Sequence, residues 1–184
     1  MIPADCQVYL LAAGQGRRAG GPKAWRDCEG RPLLNRQIEF LRRLFPAGRI
    51  AASIQAEWLE RCRAVDAGVL WVPVDPEAPA LASAQALARA LPLKRWSFLY
   101  HVDMRVWEPA LFGRLSGKIE TEEADAFVPV HAGRRGHPVL FSPALNDALL
   151  ALAPATERLD FWLHSLRVVE VEVPDACVHD NWNT

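Results

Sequence analysis

Strand-like and helix-like stretches alternate along this 184-residue chain. That alternation predicts a three-layer α/β fold, in which helices cover both faces of a mostly parallel, mixed sheet. Two observations carry the expectation. "CQVYLLA", near the start, reads as a buried strand. "PLLNRQIEFLRRLF" then places Leu34, Ile38, Leu41 and Phe45 at helical spacing, with Pro32 suited to the first turn.

The remaining elements follow in order. "RIAASIQ" is strand-like, "EWLERCRAV" a short helix, "GVLWVPV" a strand, and "ALASAQALARAL" a helix rich in good helix formers. "WSFLYHV" is a strand that ends at Asp103, and "EPALFGRL" is a short helix. "AFVPV" and "HPVLF" are strands around a Gly/Arg-rich turn. "PALNDALLAL" and "RLDFWLHSL" are helices, and "RVVEVEV" alternates like a half-exposed strand. With no repeat or linker in view, residues 1–184 read as one domain.

Composition narrows the function classes. Hydrophobic residues make up 51% and charged residues 23%, and the formal net charge is -1. Such a balance argues for neither a nucleic-acid nor a membrane partner. "VYLLAA" is too short for a signal sequence, and the four cysteines form no CxxC pair, so reduced thiols in the cytoplasm are expected. His131, His164 and His179 have no zinc-ligand spacing, and the seven tryptophans are scattered as packing residues are.

The informative stretch is "LLAAGQGRRAGGPKAW", Leu10–Trp25, a glycine-rich loop directly after the first strand. Such loops present backbone N–H groups to phosphates. A dinucleotide-binding turn must open straight into a helix, which Gly20, Gly21 and Pro22 prevent. A Walker loop needs Ser or Thr after its lysine, and Lys23 is followed by Ala24. An extended loop wrapping a nucleoside triphosphate, with Arg18 and Lys23 on the phosphates, uses all of these residues, Arg17 being a solvated neighbour.

That loop, followed by "GRPLL", resembles the signature of the MobA-like nucleotidyltransferases. "FLYHVDMRVW", "GRRGHPVLFSPAL" and the closing "NWNT" are similar to further segments of the family, so the resemblance runs from Val8 to Thr184. It implies a Rossmann-like nucleotidyltransferase version of the three-layer fold, and transfer of a nucleotidyl group from an NTP to a phosphorylated acceptor. "LAAG" with "PK", and the GHP segment, resemble the molybdenum cofactor cytidylyltransferases most, which implies CTP, molybdopterin and a molybdoenzyme partner. Transfer to a sugar or polyol phosphate, and a non-catalytic chaperone-like relative, are the alternatives.

The resemblance assigns residues. Leu11, Ala12, Ala13, Gly14, Gly16, Arg18 and Lys23 match the nucleotide-binding loop, and Lys23, Arg18 and Asp103 are the expected catalytic residues. Asp103, with Asn181 (or equally Asn183) as a weaker ligand, matches the Mg²⁺ site. Asp75 and Ser83 match loosely a region that reads the base or acceptor. His137, Arg135 and Gly136 are expected at the acceptor, His137 donating to a phosphate or pterin group. His101, two residues before Asp103, is read as structural. The chain departs from the family at Arg105, where proline is usual, at Trp25, where a small aliphatic residue is usual, and in stopping at Thr184, where a Pro-Glu-Asp and a final helix usually follow.

Overall fold

The computed structural model describes residues 5–16 and 20–180. Arg17, Arg18, Asn181 and Asn183 lie outside the described residues.

The elements are β1 (Cys6–Leu11), the hairpin β2 (Asp27–Cys28) and β3 (Arg31–Pro32), α1 (Leu33–Leu44), β4 (Ile50–Ile54), α2 (Leu59–Val65), β5 (Leu70–Pro73) and α3 (Ala80–Ala90). They continue with β6 (Trp96–His101), α4 (Pro109–Ser116), β7 (Ala126–His131), β8 (Arg134–Arg135), β9 (Val139–Phe141), α5 (Asn146–Ala151), α6 (Leu159–Ser165) and β10 (Val168–Glu172). The main sheet has the order β5-β4-β1-β6-β9-β7-β10, with β8 paired to β7. β5, β4, β1 and β6 are mutually parallel, as are β7 and β10, while β9 runs antiparallel to both β6 and β7. The expected mixed, mostly parallel α/β sheet is therefore present.

Strand side chains alternate between two cores. Val8, Leu10, Ile50, Phe98 and Tyr100 face a layer that includes Leu34, Ile38 and Leu41 of α1, Cys62 of α2 and Phe112 of α4. Tyr9, Leu11, Ala51 and Leu99 face Leu81 and Leu87 of α3, Leu149 of α5 and Leu159 of α6. Both faces of the sheet are thus buried, which is why β1 and β4 have no exposed position. Phe112 is the hub of the first core, with ring centroids 4.9 Å from Phe98, 5.6 Å from Phe40 and 6.0 Å from Tyr100.

The β2–β3 hairpin and β8 were not expected, the helix expected from Pro143 starts at Asn146, and three further boundaries differ near the site. The strand expected to reach Asp103 stops at His101. Val102 N–H still donates to the Leu11 carbonyl (3.0 Å), but Met104 N–H donates back to the His101 carbonyl (3.1 Å), and the chain turns. Pro32 caps α1 from β3 instead of lying in its first turn. The strand expected from His137 starts at Val139, because Pro138 has no N–H to give and the His137 N–H is engaged by the Val178 carbonyl (3.0 Å).

Candidate active site

The site is built at the carboxyl edge of β1 and β6, where ligands collect in open α/β sheets. The opening loop leaves β1 with its first residues tied to the neighbouring strand end. Ala12 N–H lies within reach of both the carbonyl (3.1 Å) and the Oγ (3.3 Å) of Ser53, and Gln55 Nε2 donates to the Ala13 carbonyl (3.0 Å). Leu11, Ala12 and Ala13 are buried, Gly14 is exposed, and Gln15 and Gly16 are half-buried. The loop then folds on itself. Gly16 has φ +60°, Gly21 N–H donates to its carbonyl (3.2 Å), and a Cβ at Gly16 would stand 2.0 Å from the Gly21 carbonyl oxygen. Only glycine fits there.

The loop ends in one 3₁₀ turn, Lys23–Trp25, locked by the buried Ala24 and by Arg26 N–H on the Lys23 carbonyl (3.2 Å). Trp25 explains its departure from the family pattern by packing. Its ring stacks edge-on against Trp58 (5.6 Å), and the Arg61 guanidinium lies over it at 3.6 Å. The turn aims Lys23 at the loop after β6, and Lys23 Nζ pairs with Asp103 Oδ2 at 2.6 Å.

The Asp103 loop is held from the core side by residues that sequence reasoning passed over. Gln37, fully buried on α1, donates through Nε2 to the carbonyls of Val102 (2.9 Å) and Met104, and its Oε1 accepts from Trp107 Nε1 (2.8 Å). The Tyr100 hydroxyl lies 2.8 and 2.9 Å from the Met104 and Val106 carbonyls and accepts from Val106 N–H (3.1 Å). A polar residue on the otherwise apolar stripe of Leu34, Ile38 and Leu41 was the available signal for Gln37. Arg105 N–H donates to the Asp180 carbonyl (3.3 Å), a bond that proline could not make. The last described residue is thereby stitched to the Asp103 loop.

On the other side of Asp103 a cavity of about 520 Å³ opens. Pro79, Ala80 and Leu81 at the start of α3, Leu99, Met104, and Leu159 and Leu163 of α6 give it apolar walls. Its polar groups are Asp103, His101, His137, Arg158 and Asp160. His101 and His137 meet edge to face, 5.4 Å between centroids. His101, expected to be structural, therefore belongs to the cavity: the turn after β6 brings it and Asp103 to one wall. Burial pushes the His101 imidazole below its ordinary range, against the opposing pull of Asp103. Burial, reinforced by His101, pushes His137 down to about 3. Its Nδ1 is buried with no hydrogen-bond partner. His137 thus enters the cavity as a neutral imidazole, so any donation to a phosphate would come from an uncharged N–H.

The other expected site residues lie elsewhere. Gly136 packs against Val178, where a Cβ would stand 2.5 Å from the carbonyl oxygen, so it positions His137 by close approach. Arg135 is exposed and its Nε donates to Glu170 Oε1 (2.7 Å), away from the cavity lining. Asp75 is exposed and its Oδ1 accepts from Glu77 N–H (2.8 Å), a turn contact. Ser83 is buried in α3. For Mg²⁺ the donor set is spare: among the described residues no group of three or more His, Cys, Asp or Glu could hold a metal ion, and Asp103 offers one hard carboxylate. That suits an ion that takes one or two protein carboxylates and fills its shell with phosphates and water.

A glycine-rich loop ending in a lysine, and a carboxylate just past the end of β6 paired with that lysine, fit an α/β nucleotidyltransferase. The MobA-like NTP transferase domain model matches residues 8–170, and the chain belongs to the MobA-like NTP transferase family. Among solved structures it is similar to Rv0371c from Mycobacterium tuberculosis H37Rv, with 26% identity, a TM-score of 0.78, and coverage of 100% of this chain and 95% of that one. The complex of Rv0371c with manganese matches at 23% identity and a TM-score of 0.70, over 92% of this chain and 88% of that one. Molybdopterin-guanine dinucleotide biosynthesis protein A from Archaeoglobus fulgidus matches at 20% identity and a TM-score of 0.72, over 97% and 92%. No curated protein matches the chain. Among the described residues no helix is long and apolar enough to cross a membrane.

Proposed function

We propose that the chain transfers a nucleoside monophosphate, CMP by preference, from its triphosphate to a phosphorylated acceptor, with molybdopterin favoured, and that residues 1–184 do so as one domain. The observation that carries this reading is the place of Asp103. It faces Lys23 of the nucleotide loop on one side and the cavity on the other. NTP and acceptor can therefore meet at one carboxylate.

In this reading the acceptor phosphate, already an anion, attacks the α-phosphorus. A new P–O–P linkage forms, the bond between the α-phosphorus and its bridging oxygen breaks, and pyrophosphate leaves. No general base is needed, so the protein supplies position and charge. Lys23, released from Asp103, neutralises the β- and γ-phosphates, assisted by Arg18, and Gly14 and Gly16 let the backbone approach them. Asp103, with Asn181 next to the tethered Asp180, would hold Mg²⁺, which when bound screens the phosphate charge. CTP is preferred on Ala13 and Pro22, the positions where "LAAG" and "PK" resemble the cytidylyl branch. Apolar walls and the paired His101 and His137 rings suit a heterocycle such as a pterin better than a sugar. Four unpaired cysteines fit a cytoplasmic enzyme that hands its product to a molybdoenzyme.

The test is pyrophosphate release from each of the four NTPs, with Mg²⁺ or Mn²⁺, in the presence of molybdopterin, a sugar phosphate or a polyol phosphate. Release with CTP and molybdopterin is expected. Release only with a sugar or polyol phosphate would replace the acceptor, and none with any pair would defeat the reading.

A further inference from the structure

Two charged groups of the cavity, Arg158 and Asp160, play no part in the chemistry above. Arg158, immediately before α6, lines the same cavity as Asp103 and His137, and among the described residues that do so it is the sole arginine or lysine. Its guanidinium is already arranged as a fork. Nε donates to Asp160 Oδ1 (3.0 Å) and Nη2 to Asp160 Oδ2 (2.6 Å). The Phe161 ring, 66% exposed, lies 4.8 Å from its Cζ. The segment delivering it is ordered by Glu157, whose carboxylate accepts from Ala153 N–H (2.5 Å) and whose own N–H donates to the Ala153 carbonyl (2.8 Å).

An exposed arginine–carboxylate pair adds little to stability. The same planar fork matches phosphate oxygens as well as it matches a carboxylate. A phosphate arriving in the cavity can therefore take the guanidinium from Asp160 at small cost. The leucines beside Arg158, Leu159 and Leu163, together with Leu81, Leu99 and Met104, offer apolar surface to whatever carries that phosphate.

We infer that Arg158 anchors the anionic group of the acceptor, that Asp160 holds the guanidinium in place until the acceptor arrives, and that the acceptor is a phosphate ester with a flat or apolar body. The inference rests on the transferase reading, since it presumes that the cavity is the acceptor's.

Phenyl phosphate is a probe with both features, and inorganic phosphate and phenol each have one. Calorimetry on the full chain would compare the parent, Arg158→Gln and Asp160→Asn, with CTP and Mg²⁺ affinity measured alongside. The parent is expected to bind phenyl phosphate more tightly than either partial probe. Arg158→Gln should weaken phenyl phosphate about tenfold or more, the loss of a charge-assisted fork, and leave phenol and CTP unchanged. Asp160→Asn should bind phenyl phosphate as tightly as the parent or more so. Equal binding by Arg158→Gln and the parent, or no binding by the parent, would overturn the inference. A parent that bound phenyl phosphate as expected but no NTP would instead defeat the transferase reading alone.

Discussion

Lys23 and Asp103, eighty positions apart in the chain, form an ion pair of 2.6 Å with 20% of each side chain exposed. The two residues expected to meet phosphate and metal are thus each other's partners. In the proposed reaction, a metal–triphosphate would exchange this pairing for phosphate on Lys23 and metal on Asp103.

That exchange makes the first prediction. Lys23→Ala should weaken CTP binding roughly tenfold or more, the value of a lost charge-assisted phosphate contact. Asp103→Asn should abolish turnover while CTP binding without metal stays near parental. Calorimetry and a pyrophosphate assay read the two effects, and full activity in Asp103→Asn would remove that residue from the chemistry.

The second concerns Gln37, which ties α1 to the carbonyls of Val102 and Met104 and to Trp107. Gln37→Leu leaves buried polar groups without partners, at a cost of about 1–3 kcal/mol. The Asp103 loop keeps the Tyr100 hydroxyl but loses the Gln37 brace, so kcat should fall more than CTP affinity. Urea unfolding and steady-state kinetics test this, and a variant with parental stability and kcat would show the brace to be dispensable.

The third is a pH dependence. Burial holds His137 at about 3 in the folded protein, with His101 and His179 lowering it further and Asp103 opposing them. Unfolded, it returns to about 6.5. Between those values the unfolded chain binds the additional proton, so this group's contribution to stability is complete above pH ~6.5 and declines as pH falls towards ~3. Its slope approaches about 1.4 kcal/mol per pH unit within that window. Denaturant melts of the parent and of His137→Gln at pH 7.5, 6 and 5 should show the difference moving in the variant's favour as pH falls. A constant gap would mean that His137 titrates normally in the fold.

The fourth separates two glycines of one loop. Gly16→Ala would force a side chain into φ +60° and onto the Gly21 carbonyl oxygen, whereas a Cβ at Gly14 meets nothing within 4 Å. Gly16→Ala should lose CTP affinity with little change in the thermal midpoint, since the Gly21 and Lys23 backbone that the new Cβ would meet belongs to neither core. Gly14→Ala should fold as the parent does, and a CTP affinity in Gly16→Ala equal to the parent's would sink the close-approach role of that glycine.

Apart from the β2–β3 hairpin and β8, the sequence by itself determined the α/β class, the order of the main strands and helices, and the glycine-rich loop. Those features are local: period-2 and period-3.6 patterns, and glycines and proline at successive positions, are properties of a few neighbouring residues. It also singled out Lys23, Asp103 and His137, but not what each touches. Tertiary structure decided that Lys23 pairs with Asp103, that Arg135 turns to Glu170, and that His101 and Arg158 join His137 around one cavity. Gln37 was legible only as a polar residue in an apolar stripe, because its partners lie 65 to 70 positions away. Such partnerships depend on where β6 ends and on how α1 and α6 pack against the sheet. Burial, which lowers the proton affinity of both imidazoles, is likewise set by side chains brought from β6, α3 and α6 and by no run of sequence around either histidine.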